Sequence, residues 1–165
     1  MQSNWSSRAG LVNVRPAVAA DVPELESIAK AAYLPYVPRM GFLPPPATAD
    51  FAGAVSRGEA WLARVREGDA DPDPARAAGL IVLVASSAYL LVENVAVLPS
   101  MHGFGIGTGL LAFAEDHARA LGLPETRLYT NIAMTENQGL YERRGYVETH
   151  REAAEFGRVY YTKPL

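Results

Sequence analysis

Glycine stands at positions 103, 105, 107 and 109, between an apolar stretch that closes at Pro99 and an amphipathic run that opens near Ile106. Glycines let a chain turn tightly and bring its backbone close to a ligand. The first turn of a helix carries unpaired N–H groups and the positive end of the helix dipole. A strand, a glycine loop and a helix in that order therefore build an anion site, and a phosphate-bearing cofactor is the expected ligand. Two common phosphate motifs do not fit. The dinucleotide pattern GxGxxG fails in both registers, because Gly103 and Gly105 are followed by Thr108, and Gly105 and Gly107 by Leu110. The Walker pattern requires a lysine after its last glycine, and this loop has no lysine.

The bulk composition narrows the classes further. At 165 residues, 49% hydrophobic and 20% charged, the chain has ordinary globular composition and is long enough to bury one continuous core. Its 15 basic residues are outnumbered by 18 acidic ones and form no basic run, so nucleic acid is not an expected partner. With no cysteine, disulfides, thiolate metal sites and covalent cysteine catalysis are excluded. His102, His117 and His150 are too scattered to suggest a zinc site, so no metal is expected. No apolar run is long enough to span a bilayer, and residues 1–10 lack the apolar core of a signal peptide. A cytoplasmic protein without membrane contact is the expectation.

The loop needs a strand before it and a helix after it. Residues 89–97 read as the strand. The helix runs to about Leu121, with Ile106, Leu110, Ala114, His117, Ala118 and Leu121 inward and Glu115, Asp116 and Arg119 outward, until Gly122 stops it. Upstream, residues 11–15 alternate like a short strand, and residues 1–10 are expected to form a flexible terminus ahead of one domain over 11–165. Asp21 is placed to cap a helix with the apolar face Val22, Leu25, Ile28, Ala29 and Ala32. Residues 33–46, YLPYVPRMGFLPPP, combine prolines that break regular structure with large side chains able to line a pocket. A short helix over 49–55 is capped by Thr48 or Asp50. Residues 59–66 and 77–85 read as strands joined by the turn GDADPDPARA, and with 89–97 they make an antiparallel meander. Residues 127–130 form a short strand. Thr135 opens a helix with Gln138 at capping-box spacing, Gly145 ends it, and 146–152 with 158–163 make a final hairpin around 155–157.

Val97-Leu98-Pro99, His102-Gly103-Phe104-Gly105-Ile106-Gly107 and Leu110-Leu111 together resemble the core motif of the GNAT superfamily of acyl-CoA-dependent N-acyltransferases. In that family a strand ending in V-x-P leads to an (Arg/Gln)-x-x-Gly-x-(Gly/Ala) loop and then Leu-Leu on the helix. A second motif resembles Leu140-Tyr141-Glu142-Arg143-Arg144-Gly145-Tyr146, with the tyrosine on the penultimate helix and Gly-aromatic opening the next strand. The likeness extends from about Val12 to the C-terminus. It implies a mixed α/β (α+β) fold: a central, mostly antiparallel, twisted sheet of about six to seven strands, splayed between the fourth and fifth, flanked by about four helices. His102 departs from the family's Arg or Gln. The pyrophosphate is expected to be held chiefly by backbone N–H groups of residues 103–108, to which a protonated His102 would add charge.

The resemblance also implies the chemistry. Acetyl-CoA would be the acyl donor and coenzyme A a product, with a small-molecule primary amine as acceptor and direct transfer in a ternary complex. Tyr141 is the candidate acid for the departing thiolate, and Glu93, or else an ordered water, the candidate base, because an ammonium cannot attack until it loses a proton. Val95, Ala96 and Val97 would meet the pantetheine arm as a surrogate strand, with an N–H there as oxyanion donor. Cofactor contacts are expected from His102, Gly103, Phe104, Gly105, Ile106, Gly107 and Thr108, and from Asn137 and Tyr141 on the following helix. Asn131 reads as turn chemistry. The acceptor side would fall to Tyr33, Tyr36, Arg39, Met40 and Phe42, with Arg39 able to hold a substrate carboxylate. Two other outcomes stay open: a CoA-binding sensor without turnover, and acetylation of a protein N-terminus or lysine. Pairing into a homodimer is common in the family.

Overall fold

The computed structural model describes residues 1–66 and 75–165. The expected turn at 68–77 therefore falls mostly outside the described residues. Eight strands form one sheet: β1 (Ser3–Ser7), β2 (Gly10–Pro16), β3 (Ala60–Arg66), β4 (Arg76–Ala85), β5 (Leu90–Val97), β6 (Glu125–Asn131), β7 (Val147–Arg151) and β8 (Arg158–Pro164). Their order is β1-β2-β3-β4-β5-β6-β8-β7, antiparallel except for the β5–β6 pair. The helices are α1 (Val22–Tyr33), the single turn α2 (Val37–Met40), α3 (Phe51–Ser56), α4 (Ile106–Ala120) and α5 (Thr135–Arg143).

Both faces of the central strands are covered, and alternation assigns their side chains. Leu62, Leu80, Val82 and Ala96 pack with Leu25 and Ile28 of α1 and Phe51 of α3 on one side. Trp61, Ala63, Ile81 and Leu83 pack with Ile106, Leu110, Leu111 and Phe113 of α4 on the other. β4 is consequently buried from Ala78 to Leu83 without a break, as a strand covered on both faces should be.

Four expectations change. The first ten residues are not a loose tail: β1 pairs with β2 from Ser3↔Val14 to Ser7↔Gly10, which raises the strand count to eight. The cause is Trp5, whose ring packs on α4 where Gly109 has no side chain; a Cβ at 109 would lie 2.2 Å from that ring. Gly109 thus serves docking rather than the anion loop. Glu115, read as outward, is buried because Arg144 (2.8 Å) and Lys163 (2.9 Å) both reach its Oε2. Leu121, read as inward, lies just past the helix end and is exposed. Finally, the cap assignments shift. Asp50 caps α3 through the Gly53 N–H at 2.9 Å, as expected of one of the two candidates. Asp21, by contrast, accepts from Val18 N–H and binds Arg15, and Gln138 donates to the Ile132 carbonyl rather than closing a capping box.

Candidate active site

The sheet parts where the sequence placed its key residues. β5 and β6 are paired only over Leu90–Val92 and Thr126–Leu128, and beyond Val92 they separate. Counted without β1, this is the splay between the fourth and fifth strands. On its other edge β5 carries a bulge: Val82 pairs with Asn94 and Leu83 with Val92, so Glu93 has no partner in β4. Leu98 N–H donates to Ala78 O at 2.9 Å, so by antiparallel alternation Asn94 and Ala96 also turn their backbone groups to β4. Val95 and Val97 turn theirs into the gap. Two side chains confirm the direction: Tyr33 Oη donates to Val95 O (3.3 Å) and the His102 ring Nε2 to Val97 O (3.1 Å).

One mouth of the gap is a groove of about 720 Å³. Val95, Ala96, Val97, His102, Gly103, Gly105, Ile106, Gly107 and Thr108 line it, together with Asn137 and Tyr141. Gly103 and Gly105 sit at φ of 80° and 83°, the left-handed conformation that turns the loop onto the helix. The earliest bond at that end of α4 is Gly109 N–H to Gly105 O, so the N–H groups of 106–108 have no helical acceptor. Phe104 differs from the expectation: its side chain is exposed and outside the groove. His102 does not reach toward the loop's N–H groups; it is folded back on the Val97 carbonyl.

The other mouth is a cavity of about 630 Å³. Tyr33, Met40, Phe42, Glu93 and Asn131 line it, and its walls include Pro44–Pro46, Tyr129 and Phe156. Tyr33, Val95, Asn137 and Tyr141 border both spaces, so the groove and the cavity meet at these four residues. Tyr141 is buried, and among the described residues its hydroxyl has no hydrogen-bond partner. Burial pushes its phenol, and that of Tyr33, well above the ordinary range. Glu93 is exposed and makes no hydrogen bond or ion pair among the described residues.

Two residues assigned to the acceptor lie on the groove side instead. Tyr36 Oη donates to Asn137 Oδ1 (3.4 Å), and the Arg39 guanidinium grips both oxygens of Glu136 (2.9 Å each) as well as the Ala133 carbonyl (2.8 Å). Arg39 pulls the Glu136 carboxyl down to about 2. A guanidinium so occupied clasps residues 36–39 to α5 and is not free for a substrate carboxylate. Asn131 does perform turn chemistry, accepting from Ala133 N–H (2.9 Å) and donating to Phe156 O (2.7 Å).

Three site residues escaped the sequence reading. Asn94 is buried, accepting from Tyr33 Oη (2.8 Å) and donating to Pro46 O (3.0 Å), which ties α1 and the proline segment to β5. Arg8, in the β1–β2 turn, lines the groove and donates to Gly103 O at 2.7 Å. Arg158 lines the cavity with its guanidinium carbon 4.6 Å from the Tyr129 ring centre. None sits in a local pattern that signals a site; only the pairing of β1 and β8 brings the two arginines there. No group of three His, Asp or Glu able to hold a metal, and no helix long and apolar enough to cross a membrane, occurs among the described residues.

Comparison with known proteins bears on this geometry. Residues 31–146 match the family described as Acetyltransferase (GNAT) family. An aminoalkylphosphonate N-acetyltransferase of Salmonella typhimurium strain LT2 is 42% identical over 59 residues, which span 36% of this chain and 38% of that protein. Among solved structures, a GNAT-family acetyltransferase from Listeria monocytogenes superposes with a TM-score of 0.74 at 15% identity, covering 99% of this chain and 100% of the other. The PaiA N-acetyltransferase of Thermoplasma acidophilum, solved in complex with coenzyme A, gives 0.73 at 16% identity over 93% and 99%.

Proposed function

Because the chain belongs to the GNAT acetyltransferase family, we propose that it uses acetyl-CoA to acetylate the primary amine of a small molecule by direct transfer with both substrates bound. The observation that carries this reading is the meeting of groove and cavity at Tyr33, Val95, Asn137 and Tyr141. The groove fits the cofactor: free N–H groups at the start of α4, glycine turns at 103 and 105, the Val95 and Val97 backbone facing the gap, and the basic side chains of Arg8, His102 and Arg143. When bound there, acetyl-CoA would supply an activated acetyl thioester.

Glu93 in the cavity and the residues at the junction divide the remaining work. Glu93 takes the proton from the acceptor's ammonium, freeing its lone pair. The Val95 N–H, turned into the gap, donates to the acyl oxygen as charge builds there. Tyr141 donates a hydrogen bond to the departing sulfur. Its phenol is ordinarily a weaker acid than a thiol, and burial weakens it further, so hydrogen-bond stabilisation outweighs full proton transfer. Asn137 holds the amide-rich arm of the cofactor or the acceptor from α5. The proline-rich cover over the cavity, held by Asn94 to Pro46, favours a small acceptor over a polypeptide. The aminoalkyl substrate in the name of the curated relative supports the same choice.

Thiol release from acetyl-CoA across a panel of small amines, with the products identified by mass spectrometry, tests the proposal. Equimolar CoA and N-acetylated amine are expected. Binding of acetyl-CoA without release from any amine would make the protein a sensor, and acetylation confined to peptides would place the acceptor among proteins.

A further inference from the structure

Of the charged side chains around the acceptor cavity, Arg57, Asp50 and Glu152 are engaged within the fold. Arg57 is bound through Nε to Glu59 Oε2 at 2.7 Å. Asp50 caps α3. Glu152 spends one oxygen on the Arg158 backbone N–H (2.9 Å) and the other on the Tyr160 hydroxyl (2.8 Å). Glu93 and the Arg158 guanidinium form no ion pair among the described residues, although Glu93 feels the charge of Arg57, and Arg158 that of Glu152. They come from the two sides of the parted sheet: Glu93 from the bulge of β5, and Arg158 from the first residue of β8, which pairs with Asn131 at the end of β6. Between them lie largely uncharged walls, including Tyr129, Thr130, Met134 and Phe156.

Arg158 is also held in one attitude. Its guanidinium lies over the Tyr129 ring with the Tyr160 hydroxyl beside it, and stacking on an aromatic face leaves further in-plane N–H donors at the edge. A planar fork of donors at the rim of a cavity matches a carboxylate or phosphonate, which it can bind through two charge-assisted hydrogen bonds. Arg39, the guanidinium that the sequence suggested for this task, is engaged by Glu136 on the groove side.

We infer that the acceptor is zwitterionic: a primary amine that meets Glu93 and the junction, joined by a short linker to an oxyanion that Arg158 receives. This rests on the transferase reading and specifies its substrate. The shared chemistry is an anionic group with at least two oxygens, and the panel below separates its carboxylate and phosphonate forms.

The test compares kcat/KM for ω-amino acids and ω-aminoalkylphosphonates of two to five carbons with neutral alkylamines of matched length. In the natural protein the anionic amines are expected to lead their neutral counterparts by about tenfold or more, the scale of a charged hydrogen-bonded contact. In R158Q that ratio is expected to fall toward one, through KM of the anionic amines, and R158K should restore part of it. Thermal melting and the KM for acetyl-CoA report whether each variant is folded. A ratio near one in the natural protein, or a ratio unchanged in folded R158Q, overturns the inference while the transferase reading stands. No CoA release with any amine of either kind overturns both.

Discussion

Tyr141 is where the account is most exposed to test at the scale of one residue. Tyr141 borders both spaces, and burial raises its pKa, so the neutral donor form persists to higher pH than an ordinary phenol near 10. Tyr141→Phe is expected to lower kcat by about 100-fold with little change in the KM for acetyl-CoA, within the usual range for a positioned acid–base group. In the natural protein no loss of kcat between pH 7 and about 10 should trace to this group. A basic limb in that window that disappears in the Phe variant would contradict the assignment. Glu93 makes the complementary prediction. It is needed only while the amine carries a proton, so the deficit of Glu93→Gln should be about 100-fold near neutrality and shrink as pH rises through the amine's pKa. A deficit that is constant across the pH–rate profile would remove Glu93 from the base role. The positions of both beside the gap were readable because each lies in or beside a sequence motif. Arg8 and Arg158 were not, since an isolated arginine in a turn or at a strand start carries no local sign of what it will face.

Among the elements, β1 was the one the sequence concealed. Its SNWSS run has a single large apolar residue, so neither alternation nor a continuous apolar stretch marks it as a strand. Trp5 secures it by packing on Gly109, and the β1–β2 turn then carries Arg8 to the glycine loop. Gly109→Val should unseat Trp5 and raise the KM for acetyl-CoA about tenfold, as should Arg8→Ala directly, each by loss of one charged contact. Trp fluorescence should change in the first variant only; an unchanged KM in both would detach the hairpin from the cofactor groove. The buried strands could be read in advance from their continuous apolar runs, and the two long helices because period 3.6 survives in them. Glu115 could not. On a helical wheel it belongs to the charged side, and only the arrival of Arg144 and Lys163 from distant parts of the chain makes its burial tolerable.

Across the whole molecule, that same triad ties β8 to α4 and the end of α5, the two helices that flank the groove, the second of which carries Tyr141. Removing one member of a buried ion network leaves the others uncompensated, so Glu115→Ala should cost about 3 kcal/mol in denaturant unfolding. A change below about 0.5 kcal/mol would show the triad to be dispensable for stability. The splay itself is the global feature on which function depends: β5 and β6 stay paired for three residues and then part, giving one groove and one cavity with a common boundary. A cofactor in one and an amine in the other would be bound at the same time, with no acyl group resting on the protein. Initial rates measured while both acetyl-CoA and the amine are varied test this most directly. Intersecting double-reciprocal lines, with no acetylated protein detectable by mass spectrometry before amine is added, are the predicted result. Parallel lines accompanied by an acetylated protein would contradict it.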